Sequence, residues 1–153
     1  MDIQDWIIFA IELIGTVAFS ASGAMVGIEC SMDIFGVIVL GVSTAVGGGM
    51  VRDVILGKVP SALLHPVYVI YAVLAAVLVF CIIYFRRKYL QDGFGEIYDK
   101  IMLAMDSVGL GIFSAMGVTK GISCGYIDNT FLLVFLGTMT GVGGGLLRDT
   151  MAG

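Results

Sequence analysis

Two stretches, GGGMVRD at residues 47–53 and GGGLLRD at 143–149, each set three consecutive glycines shortly before an arginine–aspartate pair. Glycine is a poor helix former, at about 1 kcal/mol per residue relative to alanine. In lipid, an opened backbone is tolerated only where it faces protein or water. The triplets Gly47, Gly48, Gly49 and Gly143, Gly144, Gly145 are therefore expected to break two spanning helices beside a cavity. Freed carbonyls and amides there could coordinate an ion or a small zwitterion, with half-helix ends adding partial charge. Arg52, Asp53, Arg148 and Asp149 lie one turn further on and could pair with each other or with an acidic residue elsewhere. A second reading stays open: small residues let membrane helices approach closely, and Gly23/Gly27, Gly117/Gly121 and Gly137/Gly141 repeat that spacing.

The acidic candidates are Glu12 and Asp106, each within an apolar run. A carboxylate at the middle of a spanning helix costs roughly 2.5–3.5 kcal/mol on insertion scales, which marks it as a functional candidate. Both sit about a turn inside their runs, so snorkelling toward water is the alternative. Ser20, Ser22 and Ser114 could add hydroxyls to a polar path or simply bond between helices. His65, just before Pro66, reads as a solvated interfacial residue. Cys30, Cys81 and Cys124 form no CxxC and, with a single histidine, no metal set. No nucleophile elbow, HExxH or Walker motif is present, so neither an enzyme nor a cofactor is expected.

These residues need a lipid-buried scaffold. The 153-residue chain is 59% hydrophobic and 13% charged, with a mean hydropathy of +1.04, well outside soluble composition. Its net charge of −4 offers no basic patch for nucleic acid. Five apolar runs, 6–28, 34–51, 66–85, 101–118 and 129–147, are long enough to cross a bilayer. The first is not a signal peptide, because its leading MDIQD is acidic. Alternation places Arg86, Arg87, Lys88, Lys100 and Arg148 on one face and Arg52, Lys58 and Lys120 on the other. That bias predicts an N-terminus outside the cell.

The two halves are copies. The triplets and Arg-Asp pairs recur 96 residues apart (143 − 47), as do Gly41/Gly137 and Thr44/Thr140. Upstream the offset is 94 (113 − 19), pairing Glu12 with Asp106, Gly15 with Gly109, Phe19 with Phe113, Ser20 with Ser114 and Cys30 with Cys124. A two-residue insertion reconciles the offsets. One extra helix separates the copies, so the second enters the membrane from the opposite side. The expected fold is an all-α membrane protein: an inverted repeat of three-helix units, 1–90 complete and 91–153 with two helices.

GGGMVRDVILGKVP, GGGLLRD, FSASG and FSAMG together resemble the paired signature of the bacterial glycine-transporter-domain membrane proteins, relatives of the trimeric intracellular cation channels. That resemblance implies seven transmembrane helices, of which five are present here, in the bacterial plasma membrane. It also implies a trimer, with a pore in each protomer along the glycine-rich breaks of the second and fifth spans. By the same token it implies a small solute such as glycine, or a monovalent cation such as potassium, as cargo.

Overall fold

The computed structural model describes residues 3–86 and 94–153. Among these, helices α1 (Ile3–Glu29), α2 (Ile34–Ile55), α3 (Ser61–Leu64), α4 (Val67–Arg86), α5 (Phe94–Ser123) and α6 (Thr130–Ala152) follow in order. All but α3 are long and apolar enough to cross a membrane. All the long helices but α4 outrun their apolar runs, because hydropathy marks the lipid-facing part while charged turns such as EIYDK still favour helix. Four residues are too few to show periodicity, so α3 left no trace in the sequence. Arg87 and Lys88, which carry part of the orientation argument, lie outside the described residues.

The same turn chemistry closes both hairpins. After α1 the chain enters the left-handed region at Ser31 (φ 57°), and after α5 at Gly125 (φ 88°). Asp33 then caps α2 by accepting from the Gly36 amide at 2.8 Å, and Asn129 caps α6 by accepting from Leu132 at 3.1 Å. Ser31 and Gly125 stand 94 residues apart (125 − 31), whereas the caps stand 96 apart (129 − 33). The insertion therefore falls inside the second turn. Asp33→Ala and Asn129→Ala should each lower stability by about 1 kcal/mol, and roughly additively at this separation. Unfolding midpoints of the single and double variants in detergent test this.

Packing repeats in the same way. A Cβ on Gly23 would lie 2.9 Å from the Gly41 Cα and 2.5 Å from Thr44 Oγ1. On Gly117 it would lie 2.8 Å from the Gly137 Cα and 2.6 Å from Thr140 Oγ1. The threonine hydroxyls in these seams donate back to Leu40 O (2.7 Å) and Leu136 O (2.6 Å), so neither is left unpaired. Tyr98 of α5 donates to Met25 O near the end of α1 (2.6 Å), and Lys58 Nζ, just past α2, lies 3.1 Å from Cys124 Sγ beyond α5. The α5–α6 hairpin thus runs opposite to α1–α2, as an inverted repeat requires.

One expectation is overturned. Both α2 and α6 remain helical through their triplets. The glycines serve close approach instead: a Cβ on Gly48 would overlap the Thr140 carbonyl oxygen, and one on Gly144 the Thr44 carbonyl oxygen. A Cβ on Gly143 would lie 3.1 Å from the Gly48 Cα. Intact helical hydrogen bonds outweigh poor glycine propensity where no water can replace them, and backbone-to-backbone contact compensates the missing side chains.

Candidate functional site: two charged vestibules flanking a glycine crossing

The third glycine of each triplet faces away from the crossing into a hollow. Gly49 helps line one of about 40 Å³, walled by Glu12 and Thr16 of α1, Val46 and Arg52 of α2, Ser61, Tyr68 and Phe113. Such a volume holds a few waters. Arg52 is 5% exposed, and its Nε and Nη2 each reach Asp53 Oδ1 at 2.8 Å. The other Asp53 oxygen accepts from the Ser61 amide (2.8 Å) and hydroxyl (2.9 Å), tying α3 to α2. Glu12 accepts a hydrogen bond from the Tyr68 hydroxyl on α4.

Gly145 lines a second hollow of about 260 Å³ with Phe19, Asp106, Leu110, Gly141, Val142, Arg148 and Asp149. Here one guanidinium joins three helices. Arg148 Nη1 lies 2.6 Å from Asp106 Oδ1, its Nε 2.8 Å from Asp149 Oδ1, and its Nη1 also donates to Ser22 Oγ of α1 at 2.6 Å. Ser22 in turn donates to Asp106 Oδ1 at 3.1 Å.

The repeat maps one hollow onto the other: Glu12 on Asp106, Val46 on Val142, Gly49 on Gly145, Arg52 on Arg148, and Phe113 on Phe19. With the hairpins antiparallel, the hollows open at opposite ends of the bundle. Glu12 and Arg52 line the first, with Asp53, 1% exposed, paired to the arginine behind its wall, whereas Asp106, Arg148 and Asp149 all line the second; either group of three sums to a formal charge of −1.

Of the residues singled out in the sequence, the structure brings Glu12, Gly49, Arg52 and Asp53 together at one end and Asp106, Gly145, Arg148 and Asp149 at the other. Gly48, Gly143 and Gly144 form the crossing, and Gly47 packs on Leu147. Of the three serines, Ser22 joins the second cluster, whereas Ser20 donates to Ala72 O on α4 (2.6 Å) and Ser114 packs into the α5–α6 seam against Gly137 and Gly141. Tyr68 and Ser61 were missed because a lone hydroxyl in a loop or at the start of an apolar run carries no signal of which helix it will face. Phe19 and Phe113 were seen as a repeat pair, and their cross-placement, each in the other half's hollow, required coordinates. Among the described residues no cluster could hold a metal ion.

Comparison with known proteins fits this geometry. A family model described as glycine transporter matches residues 9–84 and 103–153. A UPF0126 membrane protein of Deinococcus radiodurans is 38% identical over 146 residues, covering 93% of this chain and 61% of its own. The UPF0126 inner membrane protein YadS of Escherichia coli K12 is 34% identical over 148 residues, covering 95% and 66%. The chain thus spans less than two thirds of the length of these curated relatives. A prokaryotic TRIC channel crystallised in 0.5 M KCl matches with a TM-score of 0.84 at 30% identity, over 96% of this chain and 71% of that one. A structure described for conductance through TRIC cation channels gives 0.76 at 38% identity, over 94% and 66%.

Proposed function

The chain belongs to the glycine-transporter family, and from that premise we propose that it conducts a small monovalent cation between its two vestibules, within each protomer. The carrying observation is the charge gathered at either end: Glu12 beside the buried Arg52–Asp53 pair at one, and Asp106 and Asp149 around Arg148 at the other. A residual −1 at both mouths attracts cations and repels anions from either side. The inverted units, 1–90 and 91–153, present one charged mouth to each side of the membrane. The site residues are Glu12, Gly49, Arg52 and Asp53 with their twins Asp106, Gly145, Arg148 and Asp149. The protein works as a multi-pass element of the bacterial plasma membrane, N-terminus outside, assembled as a trimer like the channels it resembles.

Glycine is the second reading, favoured by Arg52 and Glu12 lining one small hollow that could hold both ends of a zwitterion. It ranks lower because Arg52 already spends Nε and Nη2 on Asp53. Purified whole protein in vesicles separates the two. Potassium flux that rises linearly with driving force supports the first, and saturable glycine uptake without potassium flux replaces it with the second. Glu12→Gln and Asp106→Asn should each lower potassium flux about tenfold, the factor carried by ~1.4 kcal/mol. Equal flux in wild type and both variants would remove these carboxylates from the path.

A further inference from the structure

The two vestibules share no lining residue, and what lies between them differs in kind from place to place. At the glycine crossing, backbone meets backbone, with Gly48 against Thr140 and Gly144 against Thr44, so no side chain is available to swing aside. Beside the crossing stand two side chains from opposite repeats. Phe113 forms part of the first vestibule's wall and Phe19 part of the second's. Their rings stack with centroids 5.3 Å apart and planes 15° from parallel. Phe19 is 2% exposed and packs with Ala45 and Ala72, flanked by Val42 and Val46.

Each ring also has a socket built by the opposite repeat. A Cβ on Gly109 of α5 would overlap the Phe19 ring, and a Cβ on Gly15 of α1 would lie 3.2 Å from Phe113 Cε2. Gly15 and Gly109 are themselves repeat twins (109 − 15 = 94). Two aromatic residues and two glycines at equivalent positions thus form one plug lying across the pseudo-symmetry between the halves.

We propose that the stacked Phe19–Phe113 pair is the barrier and selectivity element of the conduction path, and that permeation requires the two rings to part. An apolar constriction built from two stacked rings excludes water, and with it a hydrated ion, while closed. Once the rings turn, their faces favour a cation and disfavour an anion, because the ring quadrupole is negative above the plane. The pair therefore acts twice, as a dry stop and as a sign filter. The identity of the solute rests on the conduction reading above, whereas the barrier itself does not.

The experiment keeps those two claims apart by measuring flux and access separately on the whole protein in vesicles. Potassium and chloride flux are followed in wild type and in the F19A/F113A double variant. In parallel, Val46→Cys and Val142→Cys, one per vestibule, are labelled from each side with an impermeant maleimide, with Cys30, Cys81 and Cys124 replaced by serine. In wild type each reporter should label from one side. In F19A/F113A both should label from either side, and potassium flux should rise at least tenfold with the preference over chloride reduced. Two-sided labelling without potassium flux in any variant would uphold the barrier and overturn cation conduction alone. Wild-type flux and one-sided labelling in a monodisperse F19A/F113A protein would overturn the proposal. Should the double alanine variant fail to fold, Gly109→Ala, which improves helix propensity while pushing Phe19 off its socket, is judged by the same two results.

Discussion

Gly48→Leu is expected to abolish the folded protein, with no monodisperse species recovered from detergent. A Cβ at this position overlaps the Thr140 carbonyl oxygen and sits 3.2 Å from the Gly144 amide nitrogen. Both are backbone atoms of α6 and cannot rotate away, so α2 and α6 would have to separate along their length. That separation opens the seams carrying Thr44, Thr140 and Gly143 together, and the cost should exceed ~4 kcal/mol, in the range reserved for disrupted cores. Gly144→Ala should behave alike, because its Cβ meets the Thr44 carbonyl oxygen. One residue further on the sign reverses. A Cβ on Gly49 meets nothing nearer than Arg52 Nη2 at 3.7 Å, and on Gly145 nothing nearer than Arg148 Nη2 at 3.8 Å. Gly49→Ala and Gly145→Ala should thus keep the fold and gain up to about 1 kcal/mol of helix propensity. Thermal midpoints of the four variants check the contrast, and a well-folded Gly48→Leu protein would refute the crossing.

How much of this was legible beforehand follows from what a repeat can and cannot encode. Composition and the 94- and 96-residue offsets carried the five spans and the inversion, because lipid leaves few other solutions for apolar runs of that length. The repeat also pointed to charges that the fold gathers: Arg52 pairs with Asp53 beside Glu12, and Arg148 with Asp106 and Asp149. The glycine triplets misled because propensity measured in water rewards breaking a helix there, whereas the membrane penalises the unpaired backbone a break would leave. The rival reading, close approach, drew on the right physics. Ser20 and Ser114 were misplaced because a hydroxyl's repeat twin says nothing about which helix face it occupies: Ser20 points at α4 and Ser22, two residues on, at Arg148. Tyr68 and Ser61 were invisible because their partners, Glu12 and Asp53, lie 56 and 8 residues away and only the fold brings them together.

The same asymmetry sets up the second large effect. Asp53 and Asp149 follow their arginines identically in sequence, yet Asp53→Ala should cost far more than Asp149→Ala. Removing the Asp53 carboxylate leaves Arg52, 5% exposed, with no counter-ion bonded to it. Stripping one partner from a buried ion pair typically costs about 3–5 kcal/mol. It also strands the Ser61 amide and hydroxyl, which now share the second Asp53 oxygen; both are half-buried, so their loss adds about 1 kcal/mol, the low end for an orphaned donor. The α3 turn would lose its anchor to α2, and the wall of the first vestibule with it. Asp149, by contrast, is 64% exposed, and Arg148 retains Asp106 and Ser22 without it. An exposed pair contributes at most about 1 kcal/mol, so Asp149→Ala should shift the unfolding midpoint only slightly. A compensating change sharpens the test: Arg52→Met placed in the Asp53→Ala background removes the stranded charge and should recover part of the lost stability, since an apolar replacement of a buried pair is often neutral. Equal destabilisation by Asp53→Ala and Asp149→Ala, or no recovery in the double variant, would mean that the Arg52 guanidinium finds water or another partner and that the first vestibule is wetter than its 40 Å³ suggests.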